Sequence, residues 1–176
     1  AVGKYEITVK GDKLQGNYSV TYVAGTLTIT SKVIDKDGKN VEVNSPTDHE
    51  YDSKAHKWSP TVTDKKSKKE LEAGKDYEVS YDKDDFTNVG TITVTITGKG
   101  NYSGTITRSY KITPKSVTVT AEDKTKVFGE SDPKLTATVA GTLGNDTVDY
   151  KLSRKDGEAV GKYEITVKGD KLQGNY

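Results

Sequence analysis

Residues 89–104 read VGTITVTITGKGNYSG, and this stretch decides the fold. From Thr91 to Thr97 every second residue is threonine, with Ile92, Val94 and Ile96 between them. An extended chain turns successive side chains to opposite faces, so the three aliphatic residues share one face and the threonines the other. Thr, Val and Ile also suit a half-buried pleated surface. The strand stops at Gly98-Lys99-Gly100-Asn101, a turn signal. The pattern recurs in both directions: Tyr5, Ile7 and Val9 alternate with Glu6, Thr8 and Lys10, residues 25–30 read GTLTIT, and residues 116–120 read SVTVT. Asp37-Gly38, residues 141–146 and Asp156-Gly157 supply further turns. The segment 65–73, KKSKKELEA before Gly74, is the one helical candidate. Its apolar positions are too few for a buried face, so it reads as a turn or hairpin rim. The expectation is an all-β chain of two small modules, either Ig-like sandwiches or β-grasp-like open sheets.

Composition narrows the function classes. Of 176 residues, 31% are hydrophobic and 30% charged, so each module has a thin core. Lys plus Arg (27) nearly cancels Asp plus Glu (26), leaving +1, whereas a nucleic-acid binder wants a basic stripe. No apolar run reaches the roughly 18 residues of a membrane helix, so no membrane insertion is expected. The chain has no cysteine, which excludes disulfides, thiolate metal sites and a cysteine nucleophile.

Self-similarity organises the chain. Residues 1–18, AVGKYEITVKGDKLQGNY, recur letter for letter as residues 159–176, at an offset of 158. That points to a tandem array of near-identical copies, and to a chain cut from something longer. A weaker echo relates residues 2–19 to residues 89–104, since both run Val-Gly, an alternating strand, a glycine turn and Asn-Tyr-Ser. The seams fall at Thr30-Ser31-Lys32 and Thr113-Pro114-Lys115, each after an alternating strand.

Two stretches carry a family resemblance. HEYDSKAHKWSPTVTD (49–64) and ELEAGKDYEVSYDKDDFTNVGTITVTITGKGNYSGTITRSYKIT (70–113) resemble a bacterial Ig-like repeat module of cell-wall-anchored proteins. Ser53 stands where that pattern usually has glycine, and Phe86-Thr87 lengthens the loop before Asn88. From Lys115 onward the chain is similar to the MBG module (YGX type) of bacterial adhesins. Lys126, Phe128, Gly129, Asp132 and Pro133 match K-x-Y-G-x-x-D-P with Phe for Tyr. Arg154, Gly157, Glu158, Val160, Gly161 and Tyr163 match R-x-x-G-E-x-V-G-x-Y, and 174–176 read GNY. The family's continuation past GNY stands instead at Ser19 to Thr30. The resemblance therefore implies residues 1–30 as the C-terminal part of one MBG module, 31–113 as an Ig-like module, and 114–176 as the N-terminal part of the next MBG module. The modules would be arranged end to end in an elongated chain, with one module split between the chain's two ends. Residues 1–30 would complete the module begun at 114–158, in the same chain or in a neighbour.

Candidate sites are few. Asp35-Lys36-Asp37-Gly38-Lys39-Asn40 begins like a calcium loop but lacks the Asp or Asn at position 5 and the Glu at position 12, and reads as a hairpin turn. His49 and His56, the only histidines, have no third ligand at metal spacing. No Gly-x-Ser-x-Gly elbow is present, and Glu70 and Glu72 sit in a lysine-rich exposed segment. No catalytic residue, metal or cofactor is expected, and the chain does not read as an enzyme. Tyr18, Tyr102 and Tyr176 read as corner tyrosines with buried rings, and Tyr77 and Tyr81 as core residues sharing a face with Val79. Trp58 fits two readings, a core plug in an alternating strand or an exposed platform for sugar or protein.

The expected function is a non-catalytic stalk repeat of an extracellular, cell-wall-anchored adhesin, its partners being neighbouring repeats of the same chain. The alternative is a weak multivalent module for mucin glycans or a host matrix protein, with Trp58, Lys65, Lys66 and Lys68 as the binding residues. A third reading is a strand-swapped homo-oligomer built through an open sheet edge.

Overall fold

A computed structural model describes residues 1–35 and 37–176. It is all-β, with no helix among the described residues. The strands are β1 (Gly3–Ile7), β2 (Leu14–Gln15), β3 (Tyr18–Ser19), β4 (Gly25–Ile29), β5 (Lys32–Val33), β6 (Val41–Val43), β7 (His49–Glu50), β8 (Val62–Asp64), β9 (Tyr77–Tyr81) and β10 (Gly90–Gly98). They continue with β11 (Tyr102–Ser103), β12 (Thr105–Thr113), β13 (Thr118–Ala121), β14 (Ala137–Ala140), β15 (Lys151–Arg154) and β16 (Ile165–Lys168). The segment 65–73 forms turns and isolated bridges at Glu70 and Ala73. A four-stranded sheet has the order β7-β12-β10-β9. The threonine alternation holds as read, since Ile92, Val94 and Ile96 of β10 are each 0% exposed. The chain forms two compact units, and β10 and β12 contribute residues to both.

The first unit comprises Ala1–Pro46, Ser59–Asp82 and Thr93–Arg108. Its core is Ile34, Val41, Val62, Leu71, Tyr77, Val94, Ile96 and Ile106. Antiparallel pairs β6–β8 and β9–β10 bring Val43 opposite Val62 and Val79 opposite Ile96. Val79 and Tyr81 are half-buried beside the buried Tyr77, whose hydroxyl donates to the Pro60 carbonyl at 3.1 Å. The glycines of GKGNYSG are structural. Gly104 has φ +88°, and a Cβ there would lie 2.6 Å from the Ile34 carbonyl oxygen, so only glycine lets β5 approach β11.

The second unit comprises Thr47–Trp58, Lys83–Ile92 and Ser109–Tyr176. Tyr51, Phe86, Ile92, Tyr110, Ile112 and Tyr176 are buried in it. Phe86, in the loop that departs from the family pattern, is thus a core residue. The Tyr110 hydroxyl donates to the His56 carbonyl at 2.5 Å and accepts from the Trp58 N–H at 3.3 Å. Tyr176 meets Tyr51 edge to face at 5.5 Å, donates to Asp146 Oδ2 at 2.5 Å and accepts from the Leu143 N–H at 3.0 Å.

The corner-tyrosine expectation holds for Tyr176 and fails for its repeat equivalent: Tyr176 is 9% exposed and Tyr18 76%. The residues before each tyrosine, 1–17 and 159–175, are the same, and the two rings differ in what packs on them.

Candidate functional site

The densest polar cluster lies in the second unit. Lys126 and Asp132 come from the loop between β13 and β14, Arg154 from the end of β15, and Glu158 from the loop before β16. Lys126 Nζ lies 2.9 Å from Asp132 Oδ1 and 2.6 Å from Glu158 Oε2. Arg154 closes the ring, with Nε 2.7 Å from Asp132 Oδ2 and Nη2 2.5 Å from Glu158 Oε1. Its Nη1 donates to the carbonyls of Lys155 and Gly157 at 2.9 and 2.8 Å, and its guanidinium lies over the Tyr163 ring at 5.6 Å. The two motifs quoted above thus supply one alternating ring of four charges. Sequence reading found both motifs without joining them, because the pairs that link them, Asp132–Arg154 and Lys126–Glu158, stand 22 and 32 residues apart.

The ring's charges are locked. Hydrogen bonds from Arg154, then Lys126, hold the Asp132 carboxyl at about 2. Lys126, then Arg154, lowers the Glu158 carboxyl, and the carboxylates raise Lys126 and Arg154 in turn. Groups so matched keep their charge through the neutral range and are poor proton carriers. Exposed pairs of this kind contribute little stability individually, so the ring's effect is to set the loops. Those loops border a groove of about 700 Å³ that runs along residues 157–165, with Phe128 and Val160 on its rim. These two apolar side chains are 70% and 92% exposed.

The first unit has a second polar centre. Asp64, 4% exposed, ends β8 and turns the chain. Its Oδ1 accepts the N–H groups of Lys66 and Ser67 at 2.9 Å, and its backbone N–H and carbonyl bond Lys69 and Lys68. Its Oδ2 accepts from Lys32 Nζ at 2.6 Å and the Tyr102 hydroxyl at 3.2 Å. The Lys32 hydrogen bond, then that of the Ser67 N–H, outweighs burial and holds this carboxyl far below the ordinary carboxylate range. The turn points Lys65, Lys66 and Lys68 outward, and none makes an ion pair among the described residues. Trp58 belongs to the second unit and is half-buried, between the two readings offered for it.

The remaining candidates have local explanations. Asp35 accepts from the Lys39 N–H and Asn40 Nδ2, both at 3.0 Å, as an Asx-type turn does, and Lys36 of that motif lies outside the described residues. His49 and His56 stack at 4.0 Å, with His56 Nε2 2.7 Å from Asp52 Oδ1, and this contact lowers the Asp52 carboxyl. No group of three metal-capable side chains occurs among the described residues.

Residues 117–176 match the family described as MBG domain (YGX type). The match contains the four-charge ring and the groove. No curated protein and no solved structure matches the chain.

Proposed function

We propose that this chain is a non-catalytic structural repeat of a bacterial cell-surface adhesin, one unit of a stalk that holds a distal binding domain away from the cell wall. The observation that carries the reading is the 18-residue segment present twice at an offset of 158, its second copy inside the MBG match. MBG domains occur in bacterial surface proteins, which supports an extracellular setting. A repeat kept letter for letter serves length and spacing, and a mixed, nearly neutral surface suits a spacer. The four-charge ring and Asp64 are saturated by their own partners, as structural charges are.

The test compares one, two and four tandem copies of the 158-residue period. Small-angle scattering should show a maximum dimension rising linearly with copy number, and none of the proteins should bind mucin, matrix proteins or a glycan array. A dimension that levels off with copy number would defeat the stalk.

Lys65, Lys66 and Lys68, exposed and without ion-pair partners among the described residues, favour a second reading in which the repeat is a weak multivalent binder of acidic glycans. Four copies would then bind sulfated or sialylated glycans in a salt-dependent manner. Replacing the three lysines with alanine, or Trp58 with alanine, would abolish it.

A further inference from the structure

A Gly-Asn-Tyr turn occurs at 16–18, 100–102 and 174–176, and by the repeat the first of these is the third in the preceding copy. The two turns of one period are built alike. Gly100 and Gly174 have φ +64° and +61°. The Tyr102 N–H donates to the Lys99 carbonyl at 3.0 Å and the Tyr176 N–H to the Gln173 carbonyl at 3.1 Å. Each tyrosine hydroxyl then donates to an aspartate, Tyr102 to Asp64 and Tyr176 to Asp146. The tyrosine thus ties its turn to the expected module that carries it.

The asparagine reaches the seam instead. Asn101 accepts the Lys32 N–H on its backbone carbonyl and the Val2 N–H on its Oδ1, both at 2.9 Å. Asn175 accepts the Lys115 N–H on its backbone carbonyl and the Val89 N–H on its Oδ1, again both at 2.9 Å. Lys32 and Lys115 close the seams Thr30-Ser31-Lys32 and Thr113-Pro114-Lys115, and Val2 and Val89 begin the two Val-Gly stretches that echo one another. Equivalent residues therefore make equivalent bonds at both seams. Each set lies within one compact unit: Val2, Lys32 and Asn101 in the first, Val89, Lys115 and Asn175 in the second. Three segments meet at one asparagine, namely the Val-Gly before the seam, the seam itself and the turn after it.

We propose that the asparagine of the Gly-Asn-Tyr turn is the joint residue of the array, locking each module to the Val-Gly of the module before it so that every seam is held in one orientation. One period has two such joints, Asn101 and Asn175, and Asn17 is Asn175 of the preceding copy. The joint's place in an array rests on the repeat function proposed above, whereas its bonds can be tested in a single chain. The amide suits the task. A backbone N–H only donates, so Oδ1 faces it and Nδ2 is left to donate elsewhere. At the second seam Nδ2 donates to Asn88 Oδ1 at 2.8 Å, and Asn88 Nδ2 in turn donates to Asp85 Oδ2 at 2.8 Å. A neutral hydrogen bond adds only modestly to stability, so the effect here is directional. Two bonds on one residue fix an angle that a short linker leaves free, and identical joints repeat that angle along the array.

The absence of cysteine permits spin labels at chosen pairs. Lys10→Cys with Ser80→Cys spans the first seam and Lys111→Cys with Lys168→Cys the second, and all four positions are exposed. Pulsed dipolar spectroscopy should give one narrow distance for each pair. Asn101→Ala should broaden the first distribution at least twofold and leave the second unchanged, and Asn175→Ala should do the reverse. Asn101→Asp keeps an acceptor for Val2 and should stay narrow, whereas Asn175→Asp sets a carboxylate against Asn88 Oδ1 and should broaden. Val2→Pro removes the donor without touching the turn, so it should match Asn101→Ala and carries the test if that variant fails to fold. Distributions that are broad before substitution, or that stay narrow in Val2→Pro and in both alanine variants, would overturn the joint. Narrow seams in the alanine variants of an array whose length still rises with copy number would overturn the joint and leave the stalk standing. Seams that broaden as expected in an array whose length levels off would support the joint and defeat the stalk.

Discussion

Replacing Asp64 with alanine should destabilise the protein by about 3 kcal/mol at neutral pH, the cost of removing a buried carboxylate that holds two turn N–H groups, a tyrosine hydroxyl and a part-buried lysine. The substitution leaves the N–H groups of Lys66 and Ser67 and the Lys32 ammonium without their acceptor. For a chain of this size that corresponds to a melting temperature lower by roughly 6–12 °C. Asp64→Asn, which keeps an oxygen for the turn, should cost less.

The pH dependence separates the charge from the shape. The folded carboxyl titrates far below its unfolded value of about 4, so its stabilisation is complete above pH 4. As pH falls below about 4, the unfolded chain takes up the proton first and stability declines until the folded carboxyl also protonates. Urea unfolding between pH 7 and 2 should show this acid limb in the unsubstituted protein and a shallower one in Asp64→Asn. Equal slopes in the two proteins would remove Asp64 from the account.

Tyr110→Ala should cost about 4 kcal/mol, the range for truncating a buried aromatic ring. The ring is 2% exposed in the second unit's core, and its hydroxyl joins the His56 carbonyl to the Trp58 N–H. Tyr110→Phe keeps the ring and should cost about 1–2 kcal/mol, the loss of the two hydrogen bonds that the hydroxyl makes. Because Trp58 is the single tryptophan, its fluorescence reports directly on the change. Urea unfolding followed by that emission should rank the proteins unsubstituted, Tyr110→Phe, Tyr110→Ala. A phenylalanine variant as unstable as the alanine variant would mean that the hydroxyl network, rather than ring packing, dominates.

Much of the fold was legible in period-2 alternation: β10 and β13 follow it in span and in burial, whereas β4 takes the expected span with every residue exposed. The two-residue parallel pairings β5–β11 and β7–β12 were not, because two residues carry no period. Asp64 was missed as a centre because it stands beside a lysine run, and charge beside charge reads as solvated surface. The available signal was an aspartate closing an alternating strand before a turn, where its carboxylate can satisfy turn N–H groups. Phe86 read as a loop insertion, and only the assembled core shows that the insertion delivers a ring. Tyr18 and Tyr176 mark the limit of local reading, since the identical residues before them, 1–17 and 159–175, precede opposite burial. The four-charge ring was present in the quoted motifs, but its closure depends on loop geometry that no spacing encodes.

The two-setting repeat has a consequence for amide exchange. In the first copy the ladder covers Gly3–Ile7 and stops, whereas in the second it starts at Ile165 and runs to Lys168. Backbone N–H groups at equivalent positions are thus shielded in complementary halves. Fragments cut from the two copies have one mass, so deuterium uptake by the shared peptide should be bimodal, with equal populations of slow and fast exchangers at each end. An averaged uptake curve would report half-protection throughout, a state that neither copy occupies.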